Sequence, residues 1–365
     1  MTARWPNPAV SAAAVALLVA PLLTWGPDPV AAARPTANRQ VDDKTGTPTL
    51  QPSGRLNPTI ALLEAGKPVF GLYAPSNRRP PSRTGQPAAA PAPARTPAQL
   101  AADALAQGGS DYVFDGGMEH DFDEGFGPFA EFVKGMQAGG VLQRGGRPRL
   151  THPLVVKMTE IAPDPVKARE RIARQLNLGV STVVFVDVQS ADEVRQGLAM
   201  MRFASRGGTR PDDVGTAPDY WGMSAQEYRE RADLWPLNPR GELTNWTIVE
   251  SKAGLARIRE IAAVKGIAVL FPGAGTLRSV FTSTDANGTR VFDEAGWEAA
   301  IQSVLDTCQE FNVACGYPAG LGDIERRMQQ GFRVFVIGWG ESGFQTVALG
   351  RKLAGRPATN AEEWR

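Results

Sequence analysis

Reactive side chains are scarce in this 365-residue chain. It carries 2 cysteines, Cys308 and Cys315, and 2 histidines, His120 and His152. No Cys/His metal cluster can be assembled from them. An excess of one charge is also lacking. The formal net charge is +1, which argues against a dedicated nucleic-acid binder. Arg144, Arg147 and Arg149 cluster locally and read as a solvated loop. Beyond the N-terminus no apolar run is long enough to span a bilayer. A nucleotide signature is missing too: Gly273 and Gly275 lack the third glycine and the later acid of a dinucleotide fingerprint. Cys308 falls on a helical pattern and Cys315 on a strand, so two buried free thiols are expected.

What is present begins with a leader. Arg4 precedes an apolar stretch, Ala9–Trp25, and Ala31-Ala32-Ala33 offers a small-residue cleavage site. Residues 1–33 read as an export signal cleaved after Ala33, which implies a periplasmic or secreted protein. An uncleaved membrane anchor is the alternative. No Arg-Arg pair precedes the stretch, so a twin-arginine signal is not supported. After cleavage no stable membrane span remains. Residues 34–56 are polar and Pro/Thr/Asn-rich, and read as a disordered tether.

From Asn57 the chain alternates between strand and helix. Asn57-Pro58 starts a short helix that Gly66 ends. Strands are expected at Pro68–Ala74, Asp111–Asp115, Leu154–Thr159 and Thr182–Val188, then at Trp246–Val249, Ile267–Phe271, Val313–Tyr317 and Arg333–Ile337. Helical patterns lie between them. That makes eight units, the number a (β/α)8 TIM barrel requires. The α/β barrel domain is placed at 57–355, with 356–365 as a polar tail. A Pro/Ala/Arg-dense insert, 76–96, follows strand one and reads as a flexible surface loop, with a lid role as the alternative. A long excursion, 202–244, contains Trp221 and Trp235.

In such a barrel, the strand C-termini converge on the chemistry. Glu119 and His120 follow strand two. Strand three ends with Lys157, Thr159 and Glu160; alternation puts Lys157 and Thr159 on one side and Glu160 on the other. Strand four ends near Asp187 and Gln189. Strand five ends at Glu250, which is either a helix cap or a catalytic carboxylate. Thr276 follows strand six. His120 beside Glu119 suits acid/base work near neutral pH, whereas His152 precedes strand three and reads as structural.

Met118-Glu-His120, Val155-Val-Lys157, the Arg202…Arg210 loop, Ile248-Val-Glu250-Ser and Phe271-Pro-Gly-Ala-Gly-Thr-Leu277 resemble, in order and strand placement, the motifs of the HpcH/HpaI aldolase/citrate lyase family. The resemblance spans about Asn57 to Leu353. It implies a metal-dependent class II aldolase of the phosphoenolpyruvate/pyruvate-binding barrel superfamily, using Mg2+, Mn2+ or Co2+ and a small 2-oxo acid or hydroxy acid substrate. A trimer or hexamer that exchanges its last helix is also implied. Glu250 matches the first metal ligand, His120 the acid/base histidine and Glu119 the acid beside it. Lys157 stands where the family has arginine, Ile248 where it has glutamine, and neutral Thr276 where it has the second metal-binding acid. Asp187 is the candidate to compensate as a metal ligand, the alternative being a salt bridge to Arg202 or Lys157. Gly273, Ala274 and Gly275 are the substrate-binding candidates. The expected activity is carbon–carbon cleavage or condensation through a pyruvate-type enolate. The alternatives are a degenerate barrel that only binds a small carboxylic acid, or a lyase or hydrolase of other specificity, its site walled by Trp221 and Trp235.

Overall fold

Short runs of β-branched and aromatic residues, each followed by a helix, give eight parallel strands. The computed structural model describes residues 54–77, 93–144 and 148–364. The export signal, nearly all of the tether and most of the 76–96 insert lie outside them. Among the described residues, no helix is long and apolar enough to cross a membrane.

The strands are β1 (Val69–Tyr73), β2 (Val113–Asp115), β3 (Leu154–Lys157), β4 (Thr182–Phe185), β5 (Leu243–Val249), β6 (Ile267–Pro272), β7 (Ala314–Ala319) and β8 (Val334–Ile337). Their order is β4-β3-β2-β1-β8-β7-β6-β5, and a parallel β4–β5 pairing closes the ring. This is the expected (β/α)8 barrel. The helices that matter below are α1 (Pro58–Glu64), α2 (Pro97–Ala106), α3 (Phe122–Ala138), α4 (Pro165–Leu176), α5 (Ala191–Met201), α6 (Lys252–Ala256), α7 (Ile258–Ala262), α8 (Ala274–Val280), α9 (Glu294–Glu310), α10 (Ile324–Gln330), α11 (Glu341–Leu353) and α12 (Asn360–Glu363). Their starts follow from local chemistry. Asn57, Thr96 and Asp164 accept backbone N–H bonds at the heads of α1, α2 and α4, each with proline in the first turn.

Two apolar layers result. One lies between strands and helices. The other fills the barrel interior with Tyr112, Phe114, Val184, Trp246, Ile248, Phe271 and Val336, and Leu62 of α1 packs into it from below. Gly316 gives up its side chain to the Phe271 ring, which occupies the space a Cβ would need.

The barrel floor is held by charge. Asp111, just before β2, is buried and takes a two-pronged bond from Arg356 (2.7 Å to each oxygen) and another from Arg351 at 2.9 Å. Glu363 of α12 closes the group, accepting from Arg351 Nη2 at 3.0 Å and from Arg356 Nε. The stretch read as a polar tail is therefore part of the floor, with Arg356, Asn360 and Glu363 buried. Arg351, on α11, ties that helix to the floor through its 2.9 Å ion pair with Asp111.

Three other expectations change. Cys308 and Cys315 form a disulfide rather than staying as thiols. Asn312 turns left-handed (φ 53°) directly after α9, folding the chain back so that the two Cα atoms lie 5.6 Å apart, within disulfide reach. The excursion does not wall the mouth. Trp221 is buried, and its ring N–H donates to Gly179 O at 2.8 Å. Trp235 sits in a short strand, Leu234–Trp235, paired with the first residues of β5 at the lower edge. Finally, β3 stops at Lys157, so strand alternation does not govern Thr159 and Glu160.

His152 is buried at this lower end, its ring nitrogens 3.0 Å from Thr151 Oγ1 and 3.1 Å from Gln107 O. Burial lowers its pKa below the ordinary histidine value. The unfolded chain therefore binds a proton at about pH 6.5 that the folded chain refuses. Stability is full above that pH and falls as pH drops below it. Urea unfolding of wild type and His152→Gln from pH 8 to 5 checks this: the variant should lack that portion of the decline.

Candidate active site

The C-terminal mouth holds two connected chambers. The outer one has a volume of about 620 Å3 and takes in Glu119, His120, Thr159, Glu160, Asp187, Glu250 and Thr276. The inner one, about 230 Å3, lies between the strand ends and includes Tyr73, Lys157, Glu250, Gly273, Ala274, Gly275 and Thr276. Glu250 and Thr276 border both. Glu119, His120, Lys157, Asp187, Glu250, Gly273, Ala274, Gly275 and Thr276 thus all reach one cavity system, and so does Glu160, whose expected side was wrong for the reason given above.

Glu250 is not a helix cap. Ser251 caps α6, accepting from Gly254 N at 3.3 Å. The Glu250 carboxylate is 7% exposed and accepts the Asp187 N–H on Oε1 at 3.1 Å. This bond crosses the β4–β5 closure. Asp187 has a left-handed backbone (φ 42°), an unfavourable state for a non-glycine residue of the kind that accumulates at functional sites. Neither cation offered as its partner pairs with it: Arg202 bonds Asp233 at 2.6 Å and Lys157 bonds Glu119 at 2.6 Å. Gln189 instead donates to Asp187 Oδ2 at 3.0 Å. Oδ1 is buried and has no hydrogen-bond partner among the described residues.

Neighbours that had no local signal hold this pair in place. Glu193 of α5 accepts from Gln189 N at 3.0 Å and from Ala162 N at 3.3 Å, tying the loop after β4 to the loop after β3. Burial raises its pKa above the usual carboxylate value. Gln175 of α4 donates to Lys157 O at 3.2 Å and fixes the end of β3. Asp115 accepts from Gly117 N at 2.7 Å and shapes the loop that carries Glu119 and His120. Gly273 leaves room for Glu250: a Cβ there would lie 2.5 Å from Oε2. Gly273→Ala should therefore push the carboxylate aside and lower kcat about 10²-fold, the scale of an ångström misplacement. Steady-state kinetics check this, and an unimpaired variant would remove Glu250 from the chemistry.

Tyr73, the last residue of β1, was not foreseen. Its ring packs edge-on against Phe114 at 4.8 Å and is 38% exposed to the inner chamber. Removal from water, together with the charges of Glu119, Asp115 and Glu250, pushes its hydroxyl up to about 12. It stays a neutral donor at physiological pH. Its sequence signal was its place at a strand C-terminus, two residues beyond Gly71.

The outer chamber sets five carboxylates, Glu119, Glu160, Asp164, Asp187 and Glu250, against Arg171. Such a site favours a cation. No group of three or more His, Cys, Asp or Glu suited to an ion occurs among the described residues, and Glu119 is turned to Lys157. Glu250 and Asp187 still fit a divalent ion. They follow paired strands, offer only oxygen, and leave one buried oxygen unpartnered. Mg2+ commonly takes one or two carboxylates and completes its shell with water and substrate. Thr276, neutral and exposed, adds at most a hydroxyl.

Fold and site together define a (β/α)8 barrel whose carboxylates gather at the strand C-termini, the face where barrels of this kind keep their chemistry. A model of the HpcH/HpaI aldolase/citrate lyase family matches residues 151–339, more than half of the chain, and the chain belongs to that family. Its members are lyases and generally depend on a divalent metal. Tyr73, Glu119 and His120 lie outside the matched residues. The structure is similar to an HpcH/HpaI aldolase/citrate lyase family protein from Burkholderia cenocepacia J2315 (TM-score 0.55, 19% identity, covering 82% of this chain and 97% of the other). It is also similar to an HpcH/HpaI aldolase from Desulfitobacterium hafniense DCB-2 (0.53, 16%, 82% and 97%). A third likeness is to macrophomate synthase (0.51, 17%, 81% and 85%). At these identities the likenesses speak for the fold. No curated protein matches the chain.

Proposed function

We propose that this protein is a divalent-metal-dependent carbon–carbon lyase that makes or breaks an aldol bond beside a 2-oxo acid. The observation that carries the reading is the Asp187–Glu250 pair with its unpartnered buried oxygen. The two carboxylates would hold the ion. Bound there, a divalent ion supplies Lewis-acid charge to the keto oxygen and carboxylate of the substrate.

The chain's own groups do the rest. The first-turn N–H groups of α8 have no side-chain cap and are suited to the substrate carboxylate. In the cleavage direction, His120 takes the proton of the 4-hydroxyl. The bond between C3 and C4 breaks, and its electron pair becomes the enolate. Lys157, oriented by Glu119 at 2.6 Å, neutralises the developing oxygen charge. Tyr73 adds a neutral donor. The enolate then takes a proton at C3 and leaves as the 2-oxo acid. Export fits the Cys308–Cys315 disulfide, since such bonds persist in oxidising compartments.

Methyl-proton exchange of pyruvate in D2O, followed by NMR, tests the reading. Exchange should need Mg2+, Mn2+ or Co2+ and stop on chelation. No exchange with any of them would sink it. Pyruvate binding without exchange, indifferent to Glu250→Gln, would favour a barrel that only binds carboxylic acids.

A further inference from the structure

The inner chamber has no part in the steps above except at its rim. Its wall is Phe114, Val184, Trp246, Ile248, Phe271 and Val336. Trp246 stacks on Phe271 at 5.3 Å, and Phe114 lies 6.5 Å from Trp246. These side chains are at most 7% exposed, so they form a rigid apolar well. The polar groups, Tyr73 hydroxyl, Lys157, Glu250 and Thr276, belong to residues at the strand ends, which form its mouth. A water deep in such a well would find few partners, and an apolar group is the better occupant.

Size sharpens this. A cavity of about 150 Å3 with an aliphatic and aromatic lining holds a benzene molecule. The well, at about 230 Å3, exceeds that. The methyl group of pyruvate would leave most of it empty.

We infer that the inner well binds the apolar arm of the substrate, so that the preferred 2-oxo acid carries a branched aliphatic or aromatic group on C3. This rests on the proposed 2-oxo acid chemistry. The shared border at Glu250 and Thr276 puts the reacting end between the two chambers. The arm then goes down into the well, and the polar aldehyde fragment goes out into the larger chamber.

Calorimetric titration with Mg2+ present tests it, using pyruvate, 2-oxobutyrate, 4-methyl-2-oxopentanoate and phenylpyruvate. Affinity should rise about three- to fourfold per buried methylene, with a progressively more negative heat-capacity change. Ile248→Phe, which fills the well, should flatten the series; Val336→Leu is a smaller intrusion of the same kind if the first variant does not fold. Longer acids that bind no better than pyruvate would overturn the well while leaving the 2-oxo acid reading intact. Failure of all four acids, pyruvate included, would overturn both.

Discussion

Glu250→Gln should lower pyruvate proton exchange and any aldol turnover by roughly three orders of magnitude, the scale of removing a group that stabilises transition-state charge. Glutamine has the same shape and can still accept the Asp187 N–H through its carbonyl oxygen. The fold should therefore survive, with an unfolding midpoint at or above that of the wild type, because a charge crowded by other carboxylates has been removed. The metal concentration needed for half-maximal rate should rise as well. Asp187→Asn is the necessary companion. If Asp187 replaces the acid missing at Thr276, its loss should be comparable to that of Glu250. Activity metal titrations of both variants, with melting curves, decide the matter. Wild-type rates in Glu250→Gln would refute the assignment, and a harmless Asp187→Asn would take Asp187 out of the metal site.

The second large effect lies at the other end of the barrel. Asp111→Ala should cost about 3–5 kcal/mol, the usual result of removing one partner from a buried ion pair. Burial alone would raise the Asp111 carboxyl, but Arg356 first, then Arg351 and the Phe70 N–H, pull it below the ordinary aspartate value. Without it, two buried guanidiniums would share Glu363. Because the folded pKa is depressed, this contribution is complete above about pH 4, the unfolded value, and is lost as pH falls further. That window is separate from the one His152 opens below about pH 6.5. Urea unfolding at pH 7 reads the midpoint directly, and a change below about 1 kcal/mol would show that the cluster contributes little.

Local chemistry made the barrel legible. Helix caps at Asn57, Thr96 and Asp164 placed three helix starts, and eight apolar runs placed the eight strands within a few residues. Glu250 was visible because it ends a strand that a helix follows. What escaped was made by distant partners or by irregular backbone. Arg356 meets Asp111 across 245 positions of sequence, so nothing near residue 356 distinguishes it from a solvated tail. The left-handed turn at Asn312 brought Cys315 back to Cys308, and Arg202 and Lys157 went to Asp233 and Glu119 rather than to Asp187. Lys157 ended its strand two residues earlier than Thr159, and the alternation that would have turned Glu160 away ended with it. Tyr73 looked like one more strand aromatic until the facing carboxylates were in place.

The distance between floor and mouth has an evolutionary reading. The interactions that hold the barrel floor, Asp111 with Arg351, Arg356 and Glu363, share no residue with the chambers at the other end. A lineage can therefore trade residues at the mouth, as a threonine at position 276 or an isoleucine at position 248 would require, without approaching its unfolding threshold. New specificities can be sampled on a scaffold whose persistence does not depend on them.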